Sequence, residues 1–344
     1  MRKLTIALMA LSVYWVCWPA HGASDSSAFP VEFYGLPGSC TVATVEYNWH
    51  DNTRNRDVPV RIYYPKNDPQ PSPVIVFSHG LGGSREGYEY LGRHWASHGY
   101  VSVHPTHLGS DSSVLRQSFR PYEALRKAAA DIQNALNRPK DISFAIDQLA
   151  VLGKTNELFK GRLDLDKIGV AGHSFGAFTV LAAAGETFVG ADGRARSLGD
   201  PRIRAAIAMS APAKPQDGAR LNQAYGTIAI PCFHMTGTED ASPIGDTRPE
   251  DRRIPFDHMT AADNYLMTLK GGDHSVFARQ PRGWWSGRTG QRFHDLILAG
   301  STAFWDAYLK SDAAAREWLA DGGLQKTLGS DGVFEKRIAP SKSD

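Results

Sequence analysis

The chain has 344 residues, 42% of them hydrophobic and 22% charged, with 38 Lys and Arg against 36 Asp and Glu. That length holds one large α/β domain or two smaller ones, and so even a charge balance excludes a general attraction to nucleic acid or to an anionic membrane surface. Three cysteines, at 17, 40 and 232, are too few for a disulfide framework.

Arg2 and Lys3 precede an apolar run from Leu4 to Trp18, and Ala20-His21-Gly22 supplies small residues where a signal peptidase cuts. Residues 1–22 are therefore expected to be an export leader, and residues 23–344 a single catalytic domain. The run is shorter than the ~20 residues a spanning helix needs. Secretion or a periplasmic location is the expectation, with no stable membrane insertion after cleavage. Cys17 leaves with the leader; Cys40 and Cys232 fall on the first and seventh expected strands, too far apart to pair, and are expected as free thiols.

Next, Cys40–Trp49 and Val58–Tyr64 alternate like an antiparallel pair at a sheet edge. Val74–Phe77 reads as a buried strand, Glu86–His98 as a helix and Tyr100–Val103 as the next strand. A long polar loop containing a helix leads to the apolar run Asp141–Ile146. The strand Lys167–Ala171, a helix over Phe175–Ala184, and strands at Ala205–Met209, Ile228–Met235 and Tyr265–Leu269 follow. An amphipathic helix, Arg292–Leu309, closes the series. Apolar β-rich runs alternating with helices predict a mostly parallel sheet of about eight strands covered on both faces. No repeat or low-complexity linker divides it.

Gly172-His173-Ser174-Phe175-Gly176 falls directly between an apolar strand and an apolar helix. A G-x-S-x-G pattern there makes a turn too crowded for side chains at the glycines, which lifts the serine hydroxyl above the sheet. The pattern alone is common, and a plain helix cap would explain the serine, but a cap would not need both glycines.

A serine hydroxyl needs a base to take its proton, and the base a carboxylate to fix its tautomer. On this kind of fold they follow in the order serine, acid, histidine. Four histidines lie downstream: 234, 258, 274 and 294. His274, in Gly271-Gly272-Asp273-His274-Ser275, comes directly after a strand; His234 lies within one, His258 precedes one, and His294 is on the closing helix. Asp240 is favoured as the acid, ahead of Glu239 and then Asp246, while Asp273 reads as a turn residue. Ser78-His79-Gly80-Leu81-Gly82-Gly83 follows a strand and lets the main chain approach a substrate oxygen. The backbone N–H groups of Leu81 and Phe175 are the expected oxyanion donors. A phosphate site is disfavoured, because no lysine followed by Ser or Thr closes this loop.

His104 and His107 lack a Cys or carboxylate cluster that would complete a metal site, and neither metal nor cofactor is expected. Trp284 and Trp285 could grip an apolar substrate or pack the loop that carries them. Ser118–Lys127 reads as a solvated helix face.

Taken together, Phe77–Gly82, Ala96-Ser97-His98-Gly99-Tyr100, Arg138-Pro139 with Asp141, the Gly172–Gly176 pattern, and the late Asp240 and His274 resemble the bacterial proteins called predicted dienelactone hydrolases. More distantly they resemble the platelet-activating factor acetylhydrolases. The resemblance covers roughly residues 70 to 310. It implies an α/β-hydrolase fold, no cofactor, and hydrolysis of a small-molecule or lipid ester with a modest acyl group. Dienelactone hydrolases proper carry a cysteine where Ser174 stands, which points away from a lactone. An acyltransferase or peptidase would use the same residues, and a non-catalytic binding protein could keep the fold without needing them.

Overall fold

The computed structural model describes residues 33–68, 70–190, 192–278 and 288–339, which belong to one compact unit. The leader expected at 1–22 and the pair Trp284 and Trp285 lie outside the described residues.

In chain order the elements are β1 (Val42–Asp51), β2 (Arg56–Pro65), β3 (Ser72–Ser78), α1 (Glu89–Ser97), β4 (Val101–Pro105), α2 (Ser113–Arg116), α3 (Pro121–Ala130) and α4 (Ile132–Thr155). Then come β5 (Leu163–His173), α5 (Phe175–Ala184), a small hairpin β6 (Thr187–Val189) and β7 (Ala195–Ser197), β8 (Ile203–Met209), α6 (Gly218–Tyr225) and β9 (Cys232–Glu239). The last are α7 (Ile254–His258), β10 (Asn264–Asp273), α8 (Arg288–Leu309), α9 (Ala313–Ala320), α10 (Gly323–Leu328) and β11 (Gly332–Arg337).

Nine strands form one sheet in the order β1-β2-β4-β3-β5-β8-β9-β10-β11. The six from β4 to β10 run parallel. At the edges, β1 pairs antiparallel with β2, β2 with β4, and β11 with β10. Side chains of the central strands alternate between two cores, as the period of a strand requires. Ile75 and Phe77 of β3 join Trp95, Phe304 and Trp305 on one face, while Val74 and Val76 join Ile142, Ile146 and Val180 on the other. Both faces are thus covered by helices, and this is the α/β-hydrolase fold.

Four readings of the sequence are corrected. The run Asp141–Ile146 lies within helix α4, where Ile142, Ala145, Ile146 and Leu149 are all buried; their spacing is that of a helical stripe. Strand β9 begins at Cys232, four residues later than Ile228, because Pro231 has no N–H to give a central ladder. It also runs on to Glu239, so Thr236–Glu239 belong to the strand. The series does not close at Leu309: α9, α10 and the edge strand β11 follow, making nine strands, and β11 is short and half polar, with Val333 exposed. Cys40 sits just ahead of β1 and is only half-buried; Cys232 is buried, and both thiols are free.

Among the described residues no helix is long and apolar enough to cross a membrane.

Candidate active site

Because β3, β5, β8, β9 and β10 are parallel, their carboxyl ends share one edge of the sheet. There the chain delivers His79, Ser174, Ser210, Asp240 and His274 from five separate strand ends. Open α/β sheets hold their ligands at this edge.

The turn at Ser174 is forced by its neighbours. A Cβ on Gly172 would stand 2.6 Å from the Gly176 carbonyl carbon and 2.9 Å from the Ser78 oxygen. One on Gly176 would stand 2.7 Å from the Ser78 carbonyl carbon and 2.9 Å from the His79 oxygen. Only glycine fits either place, so β5 and α5 meet in a turn tight enough to put Ser174 at φ 58°, ψ −120°. Of five non-glycine residues with positive φ among those described, three (Tyr88, Ser174 and Ser210) are at this site. Backbone strain concentrates where the surrounding fold over-determines it.

His274 Nε2 lies 2.9 Å from Ser174 Oγ, and His274 Nδ1 lies 2.8 Å from Asp240 Oδ1. A carboxylate only accepts, so Nδ1 carries the hydrogen and Nε2 is left to accept from the serine hydroxyl. Asp240 is wholly buried; its Oδ2 accepts from the Ser210 hydroxyl and, at 2.9 Å, from Thr236 Oγ1. Of the competing carboxylates, Glu239 is exposed at the end of β9, and Asp246 is an exposed partner of Lys214. Asp273 accepts from the N–H and hydroxyl of Ser275, capping the 3-10 turn His274–Phe277.

Sequence reasoning missed Arg252, whose side chain is 1% exposed. Its Nε donates to the Asp240 carbonyl at 3.0 Å, its Nη1 to the Ser210 carbonyl at 2.9 Å, and its Nη2 lies 3.3 Å from Asp240 Oδ1. Nη2 is also 3.2 Å from His274 Nδ1; since both atoms carry hydrogen, this is a contact rather than a bond. Nothing local marks Arg252, which reaches the site from a 3-10 turn twelve residues beyond Asp240. His173 was also unread: its ring stands 4.7 Å from that of His274 and its Nδ1 2.7 Å from the Tyr88 hydroxyl. Burial, then the neighbouring His274 and Arg252, push His173 far below the usual imidazole range, so it is neutral.

Of the two expected oxyanion donors, Phe175 follows the serine directly and Leu81 lies in the turn after β3, the strand beside β5. Phe175 is the first residue of α5, so its N–H has no acceptor within the helix. Its peptide partner, the Ser174 carbonyl, accepts from Ala177 and Phe178, which turns the N–H outward. In the turn after β3, Gly82 and Gly83 donate to the Ser110 and Gly80 carbonyls, and among the described residues Leu81 N–H has no backbone acceptor. Leu115 and Leu125, from α2 and α3, close over Gly82 as an apolar wall.

His104 and His107 do not face one open site. His104 sits beside Ser102 Oγ with its ring against Tyr63 and Phe77, and His107 bridges Ser78 and Asp141. Among the described residues no group of His, Cys, Asp and Glu is arranged to hold a metal. His234 is buried within β9.

The parallel sheet and the serine turn together make the chain an α/β-hydrolase. Within that class it is similar to the platelet-activating factor acetylhydrolases: residues 57–121 and 116–224 match the family model for platelet-activating factor acetylhydrolase, isoform II. Proteins named platelet-activating factor acetylhydrolase are 29% identical in Canis lupus familiaris, over 60% of this chain and 48% of the relative, and 26% identical in Bos taurus over the same shares. One from Cavia porcellus is 26% identical over 81% of this chain and 63% of its own length. The chain thus spans about half the length of the first two relatives. The family match contains Leu81, Ser174 and Phe175 and ends before Asp240 and His274, whose placement rests on the geometry.

Proposed function

We propose that this chain is an exported serine esterase, secreted or periplasmic, that hydrolyses small or lipid carboxylic esters, phospholipid esters among them, through Ser174, His274 and Asp240. The observation that carries this reading is the one-way hydrogen-bond chain from the Ser174 hydroxyl through His274 to Asp240, with the Phe175 and Leu81 N–H groups left without a backbone acceptor among the described residues. Ser174 Oγ attacks the ester carbonyl as His274 Nε2 takes its proton, and the carbonyl oxygen becomes an oxyanion held by Leu81 and Phe175 N–H. Collapse breaks the bond to the alkoxy oxygen, which leaves as the alcohol with the proton from His274. Water then attacks the acyl-serine, giving its proton to His274, and release of the acid returns the proton to Ser174. Asp240 stays ionised throughout and stabilises the imidazolium. No cofactor enters these steps. The Leu115 and Leu125 wall beside the oxyanion turn suits an apolar acyl or alkyl group.

A fluorophosphonate should label Ser174 at one equivalent, and Ser174→Ala should abolish both labelling and turnover of p-nitrophenyl acetate. Unchanged turnover in that variant would overturn the assignment. Mass measurement of the exported protein tests the leader.

A further inference from the structure

Beneath the oxyanion turn lies a buried polar network that the proposed reaction does not touch. Asp141 Oδ2 faces His107 Nδ1 at 3.0 Å, His107 Nε2 faces Ser78 Oγ at 3.0 Å, and Ser78 Oγ faces Arg138 Nη2 at 3.1 Å. Its ends fix every hydrogen. Asp141, held well down at about 2 by His107 and Arg56 against its burial, can only accept, and Arg138 can only donate. His107 therefore carries its hydrogen on Nδ1, and Ser78 donates to Nε2. Separately, the His107 backbone N–H donates to His79 Nε2 at 3.0 Å. His79 is thereby held as the Nδ1–H tautomer, and Nδ1 donates to the Gly80 carbonyl at 2.7 Å.

The Gly80 carbonyl and the Leu81 N–H belong to one planar trans peptide and point in opposite directions. Two donors, His79 Nδ1 and the Gly83 N–H, grip that carbonyl. Their grip sets the direction of the Leu81 N–H. Arg138 ties this turn to the other donor. It is 0% exposed, and its Nη2 donates to the His79 carbonyl. Nη1 donates at 2.8 Å to Ser110, whose carbonyl holds Gly82. Nε donates at 2.9 Å to Thr179 of α5, and the guanidinium lies 4.6 Å from the centre of the Phe175 ring.

Resting on the esterase reading above, we infer that His79 and Arg138 are positioning residues that aim the Leu81 N–H and hold it in register with the Phe175 N–H. Neither touches the substrate. Burial and the Arg138 charge keep His79 neutral, so it acts by geometry and not by titration. Losing one oxyanion donor costs about 10²–10³ in kcat.

The test compares two amides at position 79 with p-nitrophenyl acetate as substrate. In His79→Asn the side-chain amide stands where Nδ1 was and can still donate to Gly80; in His79→Gln it stands where Nε2 was. The Asn variant is expected within about tenfold of wild-type kcat, and the Gln variant about 100-fold down with KM changed less than threefold. Affinity for an aryl trifluoromethyl ketone, which forms an oxyanion on Ser174, should fall with kcat. Fluorophosphonate labelling carried to completion counts correctly folded sites in each sample. Arg138→Lys, which keeps the charge and loses the forked contacts, should lower kcat and ketone affinity together.

If Gln matches or exceeds Asn, or ketone affinity stays constant while kcat falls, the inference is overturned. Ser174→Ala, run alongside, separates the two failures. Turnover surviving there removes the esterase reading itself; its loss there, with no difference between Asn and Gln, removes only the positioning role.

Discussion

Six histidines among the described residues are buried: His79, His94, His104, His107, His173 and His234. Burial, the largest cause for each, lowers all six: His94, His107 and His234 to about 4, His104 to about 3, and His79 and His173 well below the usual range. In the unfolded chain they titrate near 6.5. Their effect on stability is nil above that value. As pH falls through 6.5 the unfolded chain takes up protons that the folded one refuses, so stability falls down to the folded values. At pH 5 each of His94, His104, His107 and His234 costs about 2 kcal/mol, or about 8 kcal/mol for the four, and His79 and His173 act in the same direction. One group opposes them. Glu186 is raised to about 8 by burial, so the folded state gains stability as pH falls from 8 towards 4.5, returning about 3 kcal/mol by pH 5. For these four and Glu186 the net loss between pH 7.5 and 5 is about 5 kcal/mol, comparable with the whole stability of a marginal domain, about 5–15 kcal/mol. Urea unfolding at half-unit steps should show the midpoint falling steeply across this range, with uptake of at least about three protons on unfolding at pH 5. His94 is bonded to the Tyr34 carbonyl and Thr302, away from the serine, and His94→Gln should lower that uptake by about one proton. A midpoint that moves by less than a tenth between pH 7.5 and 5 would refute the reasoning.

Two further outcomes follow from the site. Gly176→Ala would drive a Cβ onto the Ser78 and His79 backbone, so unfolding at pH 8 should show a loss of about 1–3 kcal/mol, and esterase turnover should fall more than 100-fold because the oxyanion turn must move; a stable, active variant would show that the elbow tolerates a side chain. Arg252→Met leaves the Ser210 and Asp240 carbonyls without their donor, which should cost about 2–4 kcal/mol in urea unfolding and about tenfold or more in kcat/KM, and wild-type values of both would make Arg252 a bystander.

The relation of sequence to structure divides by range. The helix Phe175–Ala184 was read to the residue, since a glycine-flanked serine between two apolar runs is a local pattern. The apolar run begins four residues ahead of strand β9, because Pro231 has no N–H to give a central ladder. The apolar run Asp141–Ile146 shows its helical stripe only within the whole of α4, and β11 has no local signal, because a short half-polar segment becomes a strand only when β10 offers it an edge.

By itself, then, the sequence determined what adjacent residues decide: the alternation that builds a parallel sheet, the turn at Ser174, and the acid and histidine candidates placed after later strands. Only the tertiary structure sets Asp240, and not Glu239, against His274, since its place between Ser210 and His274 depends on strand ends 30 and 34 residues away along the chain. Only it reveals how the Leu81 N–H is aimed, through contacts between residues as many as 60 positions apart. Hydrogen-bond direction is set by which donor meets which acceptor in space, and no pattern of neighbours along a chain records that.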